Sequence, residues 1–255
     1  MITINPFSEL SALIPPLAMQ AYVILMVIFV AGGTILDMAH KKSAKYFFQN
    51  SQKAKKSATN EVSGSEKVSI AFKTATNEVL TSSEFCSTKR RIAHLLTMYG
   101  FLLFIITTVI MIFNYPTTSN TPSILPLLWH LGAAMLCVGG YWFWFFIRVD
   151  VAAEGNKWYR VVRADLFVLS LLATCSFALI WSYLQACGIA GWQALFFGLF
   201  ILSSTILFGG VLWSKFAHMF FKPAAAFQKR ITKADGSREN LPAPADCPEQ
   251  FGLGI

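Results

Sequence analysis

Four histidines, each near the end of a long apolar run, are the residues of this chain with the most distinctive chemistry. His94 follows the pair Arg90-Arg91 at the start of one run, and His218 follows Lys215 at the close of another. Two imidazoles held at one depth by facing helices can ligate a six-coordinate b-type haem, and neighbouring cations can neutralise its propionates. We therefore predict His94 and His218 as axial ligands, with Arg90, Arg91, Lys215 and Lys222 beside the propionates.

Other interpretations of the histidines stay open. His40 lies at the same predicted depth as His94 and competes with it as the partner of His218, while Asp37, one turn earlier, is placed to hydrogen-bond His40. His130 lies towards the opposite end, where the sequence has no second histidine. A second bis-histidine haem is therefore excluded on that side, whereas a Met or Cys partner for His130 stays open. We interpret His130 as a polar residue facing the bundle or the headgroups, with a proton or quinone contact as the alternative. Histidines at helix ends also commonly bind nothing.

The elements that must position these residues are membrane helices. Of 255 residues, 55% are hydrophobic and 13% are charged, about half the charged fraction of an ordinary soluble domain. The apolar residues form runs of about twenty, the length that crosses the hydrocarbon core as a helix. The five cysteines contain no C-x-x-C pair, which makes an iron–sulfur cluster or zinc site of the chain's own improbable. The composition indicates an integral membrane protein.

Five apolar runs predict an all-α, five-helix transmembrane bundle. The predicted spans are 16–38, 92–113, 124–147, 166–186 and 193–213, and the fifth helix is expected to continue into the segment that contains His218. The predicted organisation is an external N-terminus with the first transmembrane helix (1–40), a cytoplasmic loop (41–91), a four-helix transmembrane region (92–222) and a cytoplasmic tail (223–255). Within the loop, 68–80 is predicted to form an amphipathic helix on the membrane surface.

The positions of the basic residues predict the orientation of the bundle. Of the 21 Lys and Arg residues, eleven lie in 41–93, four in 148–163 and six after 213, whereas the N-terminus and the loops 114–123 and 187–192 have none. The positive-inside rule then places the N-terminus outside and the C-terminus in the cytoplasm, which requires an odd number of spans. The net charge of +8 is thereby explained without a nucleic-acid partner.

Two stretches resemble a known family. The sequence Ser214-Lys215-Phe216-Ala217-His218-Met219-Phe220, followed by Pro223, is similar to the end of the fifth span in the gamma subunit of respiratory nitrate reductase and related haem b membrane subunits. The stretch from Arg90 to Leu95, with Tyr99-Gly100-Phe101, resembles the start of their ligand-bearing second helix. The resemblance covers roughly 85–230. It implies that the counterpart of His218 ligates a cytoplasm-proximal haem b.

Departures from the family narrow the expectation. Two-haem members carry further histidines where this chain has only apolar residues, at 101–105 and 199–202, so one haem is expected. The ferredoxin-like cysteine domain of some relatives is missing. The short length, the basic segment 41–93 and the tail most resemble the membrane anchors of adenylylsulfate (APS) reductases.

The resemblance implies an electron-transfer function. A cytoplasmic flavin and iron–sulfur enzyme, with the alpha and beta subunits of adenylylsulfate reductase suspected, would pass electrons from the oxidation of AMP and sulfite to haem b and then to quinone. The setting would be the cytoplasmic membrane of a bacterium or archaeon, with quinone beside aromatic residues such as Trp142, Trp144 and Phe220. The alternatives are a haem-free anchor and a small transporter. No nucleophile, general base or metal triad for bond-breaking chemistry is evident in the sequence.

Overall fold

The structure is a computed structural model that describes residues 2–41, 43–83, 85, 87–117, 120–214 and 218–237. Within these ranges it contains helices and no strand. The helices are α1 (Pro6–Leu10), α2 (Pro16–Lys41), α3 (Ser43–Lys56), α4 (Gly64–Thr74), α5 (Thr88–Asn114), α6 (Ile124–Trp142), α7 (Leu166–Ala186), α8 (Ala190–Gly209) and α9 (His218–Ala234). Two π-helical segments, Ala75–Leu80 and Phe143–Ile147, extend α4 and α6, and a 3-10 turn, Arg163–Asp165, leads into α7.

Five of the described helices are long and apolar enough to cross a membrane. They are Pro16–His40, Thr88–Asn114, Ile124–Ile147, Arg163–Ala186 and Ala190–Gly209. The predicted all-α fold with five spans is therefore confirmed, and the protein is a multi-pass membrane protein. The third span has the predicted bounds, whereas the second begins four residues before its prediction. The second helix starts early because Thr88, Lys89 and the two arginines form its polar first turn.

The chain divides into two compact units, each described separately below. The membrane unit comprises Met1–Thr34 and Ile92–Phe216, and the basic unit comprises Ile35–Arg91 and Ala217–Ile255. The membrane unit contains most of the apolar helices, whereas α3, α4 and α9 belong to the basic unit. Within the basic unit, α9 packs against α4 and α3.

In the membrane unit, α5 and α6 touch backbone to backbone. A Cβ added at Gly132 would lie 2.7 Å from the Phe104 nitrogen, and one added at Gly139 would lie 2.7 Å from the Ala93 carbonyl oxygen. Small residues let membrane helices approach this closely and gain van der Waals contact, since lipid offers no hydrophobic driving force between helices. The α5–α6 contact therefore leaves no room for a ligand between these two helices at the level of Ala93.

Aromatic rings fill the centre of the membrane unit. Trp129 of α6 and Trp181 of α7 are fully buried. Phe104 of α5 stacks on Trp129 with centroids 5.2 Å apart, and Phe200 of α8 stacks on Trp181 at 5.7 Å. Phe7 of α1 contacts both indoles, at 5.7 and 5.5 Å. The short N-terminal helix thus packs against this cluster of rings.

Hydrogen bonds between distant segments match the alternation of five spans. In the membrane unit, the Asn5 side chain donates to the carbonyl of Tyr115 (3.0 Å), which joins the N-terminus to the second loop. In the basic unit, the Thr59 N–H donates to the Asp235 carbonyl (2.9 Å), which joins the first loop to the segment after span five. Each pair must share one face of the membrane if the spans alternate. Which face is cytoplasmic still rests on the distribution of Lys and Arg.

Candidate functional site

His94 lies on α5, at its seventh residue, in the membrane unit. Its neighbour Ala93 is buried against Gly139 of α6, with only 1% of its surface exposed, whereas the His94 side chain is exposed. Successive helical residues point about 100° apart, so His94 is turned away from the α5–α6 contact. A planar group ligated by His94 would therefore have to lie outside that contact.

The basic side chains that the sequence predicts beside a haem are partly brought together within the basic unit. The Arg90 guanidinium lies 5.7 Å from the centroid of the Phe85 ring, and the Lys222 ammonium lies 5.5 Å from the same centroid. Both distances are in the range of a cation–π contact. Arg91 instead donates from Nε to the Thr81 carbonyl at 2.7 Å. The sequence did not single out Phe85, on which two of these cations converge.

The fifth membrane helix ends earlier than predicted. It stops at Gly209, residues 210–213 form turns, and α9 begins at His218. Gly209 and Gly210 favour an end here, because glycine gives up the most backbone entropy in a helix, but the pairs Gly32-Gly33 and Gly139-Gly140 stay helical in α2 and α6. The expected continuous helix from the fifth span to His218 is thus wrong. Lys215 and the side chains of His218 and Phe220 lie outside the described part of the chain.

The alternative ligand His40 lies on α2 in the basic unit. Its side chain is exposed, whereas that of Asp37, one turn earlier, is buried with 3% of its surface exposed. Asp37 is therefore in the packed interior, whereas His40 is on the surface. Because its imidazole is exposed, as that of His94 is, His40 stays a competing candidate for the ligand.

His130 connects two helices of the membrane unit. Its Nδ1 lies 2.7 Å from the Pro126 carbonyl oxygen, and its Nε2 lies 2.8 Å from the Ser182 hydroxyl of α7. The carbonyl can only accept, so Nδ1 carries the proton, and in the neutral imidazole Nε2 then accepts from the serine hydroxyl. Trp129 packs against the imidazole edge to face, with centroids 4.9 Å apart. Since both ring nitrogens are engaged, His130 acts as a bridge between helices, in agreement with its interpretation as a polar residue facing the bundle.

The sequence analysis did not identify Arg148 as a structurally important residue, because it treated Arg148 only as one of the basic residues of the segment 148–163. Arg148 is fully buried at the end of α6 and forms an ion pair with Asp165 at the start of α7. Its Nε donates to Asp165 Oδ1 (3.1 Å) and its Nη1 to the Lys157 carbonyl (2.9 Å). The guanidinium also lies 4.3 Å from the centroid of a Trp144 ring, which is 5% exposed. Trp144 therefore has little surface to offer a quinone, contrary to its predicted role, whereas Trp142 is half-buried.

The remaining donor atoms form no further centre. Among the residues that the structure describes, no group of three or more His, Cys, Asp and Glu side chains is arranged to hold a metal ion. Comparison of the chain with protein-family models, with curated proteins and with solved structures gives no match. The resemblance to haem b membrane subunits therefore rests on the sequence motifs around His94 and His218.

Proposed function

We propose that this protein is the membrane subunit of an oxidoreductase complex in the cytoplasmic membrane of a bacterium or archaeon. It anchors a cytoplasmic flavin and iron–sulfur enzyme, for which the alpha and beta subunits of adenylylsulfate reductase are the candidates. It delivers the electrons of that enzyme to membrane quinone, and His94 and His218 hold one haem b on the cytoplasmic side.

The observation that carries the proposal is the approach of Arg90 and Lys222 to the same ring, Phe85. Arg90 precedes His94 by one helical turn, and Lys222 follows His218 by one turn. Each of the two segments that carry a proposed ligand thus places one basic side chain next to Phe85. Two cations gathered in this way suit the two carboxylates of a haem, which bind best to charged hydrogen-bond donors.

The surroundings of His94 also suit a ligand. Its imidazole is exposed on α5 and turned away from α6, so a planar group can reach it without separating the closely packed helices. Haem b, when bound, supplies a one-electron carrier whose potential depends on ligand basicity, burial and nearby charge. The chain itself provides the imidazoles, the cations for the propionates and the apolar helices that exclude water.

One observation favours a second candidate, a haem-free anchor that only tethers the enzyme. The Arg91 guanidinium is already bonded to the Thr81 carbonyl, and the Arg90 guanidinium lies over Phe85. These contacts order the end of the first loop and explain both arginines without a propionate. In that case the basic unit would only bind the cytoplasmic enzyme and would take no part in electron transfer.

A reduced-minus-oxidised spectrum of the purified protein and its complex separates the two candidates. We expect a b-type signal in the native protein, its loss in His94→Ala and in His218→Ala, and its retention in His40→Ala. His130→Ala is the matched control, because one nitrogen of that ring bonds to the Pro126 carbonyl of its own helix and the other to the Ser182 hydroxyl of α7.

Two outcomes would overturn the haem assignment. If the intact native complex contains no haem, only the haem-free anchor remains as a candidate. If the signal is lost in His40→Ala but not in His94→Ala, the assignment of His94 and His218 as the ligand pair is wrong. Co-purification of the flavin and iron–sulfur enzyme with the haem-free variants shows that anchoring survives without the haem. If no such enzyme co-purifies with the native protein, the anchoring function itself is refuted.

A further inference from the structure

One face of the third membrane span is exposed along most of its length. Its residues recur every three or four positions, so they form a single apolar stripe on α6 and its π-helical extension. The exposed members of this stripe are Leu127, Leu131, Ala134, Val138, Tyr141 and Phe145. An apolar face that the protein leaves exposed on a membrane span lies against the acyl chains of the lipid.

A tryptophan of the following loop continues this stripe. The ring of Phe145, two residues before the span ends at Ile147, stacks on Tyr141 with centroids 6.2 Å apart. The same Phe145 ring lies 6.4 Å from Trp158, which contacts Tyr159 at 5.7 Å. Trp158 and Tyr159 are 58% and 61% exposed. The row of rings thus leads from the lipid-facing stripe to the end of the span, the level at which Trp and Tyr are enriched in membrane proteins.

The buried Arg148 holds this part of the loop at the end of the span. Its Nη1 donates to the Lys157 carbonyl at 2.9 Å, and its Nη2 donates to the Arg160 carbonyl. In the opposite direction, the Asn156 N–H donates to the Arg148 carbonyl at 2.9 Å. The four side chains of 157–160 are all exposed. The loop is therefore fixed close to the end of the span, with these side chains on its outer surface.

The charge of this surface is positive. The segment 157–163 contains no acidic residue, and its exposed cations are Lys157, Arg160 and Arg163. The acidic residues of the loop, Asp150 and Glu154, precede the segment, and Asp165, which follows it, is paired with Arg148. Basic side chains next to the end of a membrane span suit the phosphate of an anionic lipid.

We propose that the segment 157–163 binds the headgroup of an anionic phospholipid at the end of the third span. The rings of Trp158 and Tyr159 lie at the boundary between headgroups and acyl chains, and Lys157 and Arg160 bind the phosphate. The occupant is a lipid, because the row of rings is continuous with the stripe that faces the acyl chains. The site lies within the membrane unit and is independent of haem and of a partner enzyme.

Quenching of Trp158 by brominated lipids tests the proposal on the full-length protein in lipid nanodiscs. Subtracting the fluorescence of Trp158→Phe isolates this residue from the other tryptophans of the chain. We expect Trp158 to be quenched by lipids brominated close to the headgroup and to be protected from acrylamide in the water. As the control, Ala152→Trp in the Trp158→Phe background places an indole at an exposed position between Asp150 and Glu154, where acrylamide should quench it fully.

Brominated phosphatidylglycerol diluted into phosphatidylcholine measures the lipid preference at Trp158. We expect the anionic lipid to be favoured, and Lys157→Ala/Arg160→Ala to lower the preference by up to about 30-fold, since each cation contributes about fivefold. The loop should keep its fold in this variant, because Arg148 bonds to the backbone carbonyls of both residues. Lys55→Ala/Lys56→Ala removes two exposed cations from α3 and should leave the preference unchanged.

Three results would overturn the proposal. Equal quenching by acrylamide of Trp158 and of the indole introduced by Ala152→Trp would place Trp158 in water. A lipid preference that persists in Lys157→Ala/Arg160→Ala, or that falls equally in Lys55→Ala/Lys56→Ala, would show that these cations form no specific lipid site. Protection of Trp158 that requires a second copy of the chain or an added soluble protein would identify the occupant as protein.

Discussion

The ion pair between Arg148 and Asp165 gives the sharpest test of the membrane unit, because it joins the end of α6 to the start of α7. Arg148 is fully buried and the Asp165 side chain is 11% exposed, so solvent hardly screens the pair. We predict that Asp165→Ala destabilises the protein strongly, because it leaves the guanidinium buried without its counter-charge.

The magnitude follows from the contacts that remain. Removing one partner of a buried ion pair costs about 3–5 kcal/mol. In Asp165→Ala the cation keeps the carbonyls of Lys157 and Arg160 and the ring of Trp144, so we expect a loss of about 3 kcal/mol, at the low end of that range. The double variant Arg148→Met/Asp165→Leu buries no charge and should lose less than the sum of the losses in Arg148→Met and Asp165→Leu, by about 0.5–3 kcal/mol.

Reversible unfolding of the solubilised full chain, followed by far-UV circular dichroism, measures these free energies. Asp150→Ala is the matched control, since Asp150 is an exposed aspartate of the same loop whose carboxylate accepts one hydrogen bond, from the Ala152 N–H (2.9 Å). That change should cost about 1 kcal/mol or less. If Asp165→Ala costs no more than Asp150→Ala, or if the two single losses simply add in the double variant, the pair does not hold the α6–α7 connection as argued.

The close helix contact and the histidine bridge give two further predictions. Gly139→Ala should destabilise the protein by about 1–3 kcal/mol in the same unfolding assay, because its Cβ would lie 2.7 Å from the Ala93 carbonyl oxygen. Gly198→Ala, with no atom within 4 Å of its added Cβ, should be close to neutral; equal losses would refute the contact. His130→Ala and Ser182→Ala should each cost about 0.6–1.7 kcal/mol and should not be additive, because both remove one bond between helices. Additive losses in the double variant would show that the two side chains do not share that bond.

Much of the fold was predictable because membrane insertion depends on local composition. A span needs about twenty apolar residues with its backbone hydrogen bonds satisfied internally, and both conditions are met within one segment of sequence. The third span, Ile124–Ile147, has the predicted bounds for this reason. The end of the fifth helix at Gly209 was not predictable in this way, since the pairs Gly32-Gly33 and Gly139-Gly140 stay helical in α2 and α6.

The candidate site was predictable only in part. The sequence identifies His94 and the neighbouring arginines as chemically capable residues, and the structure shows His94 exposed on α5. The sequence offers no reason to select Phe85, because one of the cations around that ring comes from the first turn of α5 and the other from α9. The approach of Arg90 and Lys222 to Phe85 depends on how the helices of the basic unit pack, which the local sequence does not specify.

By itself, the sequence determined five membrane helices, because hydropathy acts on each segment separately. The orientation of the bundle stays a prediction from the positions of Lys and Arg. Only the tertiary structure decided that Arg148 is a buried half of an ion pair and that His130 is a bridge to Ser182. Their partners lie 17 and 52 residues away in the chain. The choice of such partners depends on the rotation and depth of one packed helix against another, which no local pattern of residues specifies.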